Sequence, residues 1–133
     1  MLILIAEEEM PTAAALEAAL TEAGHQVLGP VDTIAEALPM IAVERPDLAL
    51  VSILLKDGDT GVWLAWELLH QHGTPSIFLA TDLPHARMSR DLALGVISKP
   101  YDTTMMADVD GYFDELAQGQ PPRSLPSQLE IFR

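Results

Sequence analysis

The sequence predicts a doubly wound α/β domain, and three observations carry that expectation. Short apolar runs alternate with segments of helical period along 133 residues. The runs are continuous rather than alternating in and out, as in strands covered on both faces. Glycine, proline and acidic residues punctuate the junctions. Five strands alternating with five helices give one parallel sheet with helices on both sides, joined by right-handed crossovers. A chain of this length is expected to be one domain.

The first run, Leu2 to Ala6, is a strand with Glu7, Glu8 and Glu9 at its carboxyl end. Pro11 and Thr12 open an alanine-rich helix with Leu16 and Leu20 one turn apart, ending near Ala23-Gly24. His25 to Leu28 is the second strand, closed by Gly29-Pro30, and Asp32 or Thr33 caps a helix from Ile34 to about Val43. Pro39 inside that helix removes a hydrogen bond and predicts a kinked, shortened or displaced element. The third strand, Asp47 to Val51, closes on Ser52, and Asp57-Gly58-Asp59-Thr60-Gly61 then breaks the chain. The helix that follows, Val62 to Gln71, reads as burying Val62, Ala65, Trp66 and Leu69 and leaving Trp63 on the opposite side.

Ser76 to Ala80 is the fourth strand, Pro84 to Leu92 a short helix with a weak apolar stripe, and Leu94 to Ser98 the fifth strand. Met105, Val109, Tyr112, Phe113 and Leu116 mark a last helix capped by Asp102 or Thr103. The domain is therefore expected to span 1–117. Residues 118–133, with three prolines and few apolar groups, read as a tail that is flexible or docks on a partner. Fraying is the favoured expectation for Leu129 to Phe132.

Composition narrows the function classes. Twenty acids against seven Lys and Arg, a formal charge of -13, disfavour nucleic acid and anionic membrane and favour a basic partner surface. The absence of cysteine rules out a disulfide framework and a thiolate metal site. No run of about 18 apolar residues can span a bilayer. Met1 to Ile5 lacks preceding basic residues and meets three glutamates, which is wrong for a secretory signal, so a cytoplasmic protein is expected. His25, His70, His72 and His85 have no metal-ligand spacing.

With strand order 2-1-3-4-5, the carboxyl ends of the strands converge near the topological switch point, where ligands of open α/β sheets bind. That gathers Glu7, Glu8, Ser52, Ala80, Thr81 and Lys99. Two carboxylates, a hydroxyl and a lysine beside an acidic loop look like a phosphoryl-transfer pocket with its magnesium ligands.

Four segments, ILIAEEE, PDLALVSILLKDGDTG, PSIFLAT and SKP, resemble the receiver domain of bacterial response regulators, a CheY-like, flavodoxin-like (βα)5 fold, over about residues 2 to 117. The resemblance implies phosphotransfer from a histidine kinase to an aspartate, with a divalent metal assisting and a Ser or Thr and a lysine sensing the phosphate. It places the acidic pair on Glu7 and Glu8, the phosphoacceptor on Ser52, the hydroxyl switch on Ala80 with Thr81 as the one-residue alternative, the aromatic switch on Ile97 and the lysine on Lys99. It also implies a cis bond between Lys99 and Pro100.

Three of these positions depart from the pattern. A serine alcohol cannot form an acyl phosphate and gives a metal no carboxylate. The expectation is an atypical single-domain regulator that needs no cofactor, binds Mg²⁺ weakly if at all, and holds its pocket with a Glu8 to Lys99 pair reaching Ser52. It would act by contact with a histidine kinase, a phosphotransferase or another regulator, or as a homodimer, and not as an enzyme. The alternative is a conventional phosphorelay receiver in which another carboxylate such as Asp57 accepts phosphate, although Asp57 and Asp59 read more simply as turn and cap residues. Trp63, Tyr101 and Tyr112 are candidate partner contacts, and the family's face of fourth helix, fifth strand and fifth helix would carry Met88, Arg90 and Met106 beside Tyr101 and Tyr112.

Overall fold

The computed structural model describes residues 1–101, 111 and 128–132. The elements run β1 Leu2–Ala6, α1 Met10–Glu22, β2 Gln26–Val31, α2 Ile34–Val43, β3 Leu48–Ser52, α3 Gly61–His72, β4 Ser76–Ala80, α4 Leu83–Met88, β5 Gly95–Ser98 and β6 Leu129–Ile131. The expected last helix, with Tyr112, Met106 and the Asp102 and Thr103 caps, lies outside the described residues.

One sheet has the order β2-β1-β3-β4-β5-β6. The first five strands are parallel in the predicted order, and β6 runs antiparallel to β5. The sheet therefore has six strands where the sequence predicts five. Leu129, read as part of a fraying tail, is buried beside Ile97. A three-residue strand contributes almost no periodic signal of its own, and its apolar pair is burial-competent only once β5 supplies an edge.

Alternation along the strands divides the core. Ile3, Ile5, Leu48, Leu50, Ile77, Leu79 and Ile97 face α1 with Leu16 and Leu20. Leu4, Ala6, Ala49 and Val51 face α2 and α3, and Phe78, Ala80 and Val96 pack with Ala65 and Ala86. Every residue of β3 and β4 is buried, as central strands covered on both sides require.

Several local readings shift. β2 continues through Gly29-Pro30 to Val31 instead of closing there. Gly29 has φ +92, and a Cβ on it would press on Val31 N and Ile5 O, so glycine is what lets the strand slip register beside β1 and resume at Val31. The Gly29-Pro30 and Lys99-Pro100 bonds are both cis.

α2 keeps Pro39 inside an otherwise intact span, with the proline turned to solvent. The buried stripe of α3 is Gly61, Leu64, Ala65 and Leu68, one position away from the stripe read in the sequence. Trp66 is 41% exposed rather than core, and its ring lies 4.9 Å from that of His70. Leu64 and Leu68 sit one turn apart and fill the space over β3 without it.

Candidate functional site

The strand parity that builds the α1 side of the core also builds the site. Ile3 and Ile5 of β1 and Leu48 and Leu50 of β3 point to that side, and the next residues of the same parity are Glu7 and Ser52. On β5, Ile97 has this parity and Lys99 follows it. Glu7, Ser52 and Lys99 therefore meet over the carboxyl edge of the sheet.

Their contacts close a triangle. The Ser52 hydroxyl donates to Glu7 Oε2 at 2.8 Å, and Lys99 Nζ donates to Ser52 Oγ at 2.9 Å and to Glu7 Oε2 at 3.1 Å. Glu7 Oε1 lies 2.9 Å from the same ammonium, as a charge contact. Glu7 is fully enclosed, and the Lys99 side chain retains 14% exposure. A buried carboxylate of this kind stands only because it is paired and hydrogen-bonded.

The partner of Lys99 is thus Glu7, where the sequence reading puts Glu8. The reason is parity: Glu8 falls one residue later and turns away, to line a cavity of about 330 Å³ with Glu9, Ile53, Leu54, Leu79, Ala80, Thr81, Asp82, His85 and Lys99. Ala80 is buried at the end of β4, as the β4 register predicts, and Thr81 is exposed just beyond it. Ile97 is wholly inside the α1-side core, so the position where the family carries its aromatic switch is a fixed packing residue here.

Tyr101, read as a partner contact, turns inward instead. Its ring packs on the α1-side core and its hydroxyl is enclosed near Glu7. Burial above all, then the charges of Glu7 and Glu9, push its ionisation far above the ordinary tyrosine range, so the phenol stays neutral. Nothing in the residue pattern separates an inward from an outward Tyr101. Trp63 is 54% exposed on α3 and donates its ring N–H to Glu67 at 3.3 Å. Met88 is exposed at the end of α4.

Two further residues shape the site. Gly61 opens α3 directly against β3: a Cβ there would collide with the Ser52 carbonyl and the Ile53 backbone, and Gly61 N donates to Ile53 O at 2.9 Å. Asp57 is committed elsewhere in the loop. Its carboxylate accepts from Ile34 N at 3.2 Å, Ala35 N at 3.3 Å and Thr60 Oγ1 at 2.8 Å, capping α2 from the β3–α3 loop. Slight desolvation works against its charge although the residue is exposed, and the Thr60, Ile34 and Ala35 donors outweigh it and hold the carboxylate below the usual aspartate range.

The donor set does not fit a magnesium ion. Mg²⁺ takes near-octahedral oxygen ligation and usually one or two carboxylates. Glu7 is consumed by Lys99 and Ser52, Ser52 offers only a hydroxyl, and among the described residues no three His, Cys, Asp or Glu side chains gather as metal ligands.

A parallel sheet in the order 2-1-3-4-5, with a lysine and an acid meeting over its carboxyl edge, defines a class: the chain is a receiver-like domain of the response-regulator type, an atypical one. Among curated proteins it is similar to the phyllosphere-induced regulator PhyR of Methylorubrum extorquens, 34% identical over 110 residues, which cover 80% of this chain and 41% of that protein. The chain thus spans less than half the length of this relative. Among solved structures it resembles the receiver domain of a modulated diguanylate cyclase from Desulfovibrio desulfuricans, at TM-score 0.74 and 28% identity, covering 90% of this chain and 98% of that one. It also resembles the anti-anti-sigma factor PhyR of Bartonella quintana, at TM-score 0.69 and 26% identity, covering 89% of this chain and 50% of that one. No protein-family model matches. Among the described residues no helix is long and apolar enough to cross a membrane.

Proposed function

We propose that this receiver-like domain works by protein contact, with a pocket held by its own side chains rather than set by aspartyl phosphorylation. The observation that carries the reading is the Glu7–Ser52–Lys99 triangle. The ammonium that would meet an incoming phosphoryl group is already neutralised. The position that would carry it is an alcohol buried to 1% exposure. An alcohol forms a stable ester rather than a labile acyl phosphate, so the reversible transfer of a relay has no chemical basis at Ser52.

The partner on this reading is a histidine kinase, a phosphotransferase or another regulator in a cytoplasmic signalling pathway. The name anti-anti-sigma factor, given to a relative, supports a protein as the bound species. The Ser52 hydroxyl does meet the Glu7 carboxylate, but that acid is paired with Lys99 and both Ser52 and Glu7 are buried away from any substrate, which supports a non-enzymatic reading. Relay through Asp57 is disfavoured because both its oxygens already accept hydrogen bonds at the start of α2.

Intact-mass spectrometry after incubation with Mg²⁺ and acetyl phosphate tests this, with Ser52→Asp alongside. The expected result is no adduct on the wild type and a hydroxylamine-labile phosphate on the variant. A phosphate on the wild type overturns the reading, and mapping it identifies the acceptor.

A further inference from the structure

The sheet edge at β5 is shaped for one particular strand. Gly95 has no Cβ, and one built there would strike the Glu130 carbonyl of β6, so the close approach of the two strands depends on glycine. Arg87 of α4 reaches over the edge and forks onto Glu130, Nε to Oε2 at 2.8 Å and Nη2 to Oε1 at 2.7 Å. Leu129 enters the core on one side of the sheet while Phe132 packs on the other. The strand that satisfies all of these at once is this chain's own Leu129–Ile131.

What holds the strand in place is small. Three residue pairs register it on β5, with Ser98 N donating to Gln128 O at 3.2 Å and Phe132 N to Leu94 O at 2.9 Å. A cavity of about 170 Å³ runs along the seam. No short turn ties β6 to β5: 30 residues of sequence separate Ser98 from Leu129, so the pairing is not a hairpin. Every contact just named is therefore the same whether β6 comes from the same copy or another.

We propose that β6 is exchangeable, and that two copies of this chain form a two-fold dimer by laying Leu129–Ile131 on each other's β5 edge. Exchange of an identical element creates no new interface chemistry and closes on itself, so it gives a dimer and not a fibre. The cis strand has the advantage of its tether, so the wild type is expected to exchange only at high concentration. The inference does not depend on how the Glu7–Ser52–Lys99 pocket is read.

The fork supplies the test, since Arg87 and Glu130 are both partly exposed and can be inverted without touching the core. Full-length Arg87→Glu alone and Glu130→Arg alone each oppose like charges in cis and in self-exchange. Mixed one to one, each variant's strand matches only the other's groove. Analytical ultracentrifugation is expected to show the mixture dimerising at least about tenfold more tightly than either variant by itself, and the double variant R87E/E130R behaving like wild type. A mixture that stays monomeric, or single variants that dimerise as tightly as the mixture, overturns the proposal.

Hydrogen exchange on the wild type gives an independent check. The Ser98 and Phe132 amides are expected to open together, faster than those of β1 and β3. If they exchange only with global unfolding, β6 is not released and exchange of the strand is excluded.

Discussion

Removing Lys99 while leaving Glu7 in place is the sharpest perturbation this fold offers. The Glu7 carboxylate has no exposed surface, and its charge is met at 2.9 Å by the Lys99 ammonium. At an effective dielectric of about 20 that contact is worth about 6 kcal/mol of attraction, most of it offset by desolvating the two groups. What remains after truncation is an uncompensated buried charge, so Lys99→Met should cost about 3–5 kcal/mol. That is a large part of the roughly 5–15 kcal/mol available to a domain.

Glu7→Gln leaves the opposite orphan. Lys99 keeps 14% exposure and can turn toward water, and the amide can still accept from Ser52. The expected cost is only about 1–2 kcal/mol. Combining the two, Glu7→Gln with Lys99→Met, should be less damaging than Lys99→Met alone, because it removes the stranded charge. Urea denaturation followed by far-UV circular dichroism measures all three. If Lys99→Met costs less than Glu7→Gln, or if the double variant is the sum of the singles, the triangle is not the linchpin of the strand ends and the argument built on it fails.

Other expectations follow from the same structure. Gly61→Ala forces a methyl group into the Ser52 carbonyl and Ile53 backbone, so it should destabilise by about 2 kcal/mol or more and disturb the Ser52 amide resonance by NMR. Leu68→Ala removes a fully buried side chain and should cost about 2–5 kcal/mol. Trp66→Ala, at 41% exposure, should cost under about 1 kcal/mol; denaturant midpoints with the order reversed would contradict the α3 stripe. Asp57 is held below its ordinary range in the folded chain because its hydrogen bonds outweigh a slight desolvation. Its contribution is therefore complete above the unfolded-state pKa of about 4 and is lost as pH falls below it. Asp57→Ala should lower stability by about 1 kcal/mol at neutral pH and flatten the acid side of the pH–stability curve, as read by thermal melts.

The parallel sheet was legible because β1, β3 and β4 are continuous apolar runs, as strands covered on both faces have, whereas the strand order was assumed and is the one the receiver resemblance implies. The strand ends were legible for the same reason, and Ser52 and Lys99 come together at the carboxyl edge of the sheet. Which glutamate joins them was not, because Glu7 and Glu8 are chemically alike and only the parity of β1 decides between them. α3 misled in a related way: Trp66 is large and apolar, but Leu64, Ala65 and Leu68 form a stripe on their own. Asp57 reads in the sequence as a turn and cap residue of the loop leading into α3, but its carboxylate accepts from the start of α2 at Ile34, 23 residues earlier, a contact that local pattern cannot reveal. β6 had no signal beyond a few apolar residues near the chain end, since its burial exists only against β5.

The β5–β6 pairing also bears on how the protein behaves when crowded. A parallel sheet that stopped at Gly95–Ser98 would offer any passing strand a row of bare amides and carbonyls, the template from which ordered aggregates grow. β6 covers that row and hands the margin to three residues with the carboxylate of Glu130 at their centre. The carboxylate is held by the Arg87 fork, and the net charge of -13 spread over the rest of the chain adds long-range repulsion between copies. The margin left for open-ended stacking is thus only three residues long.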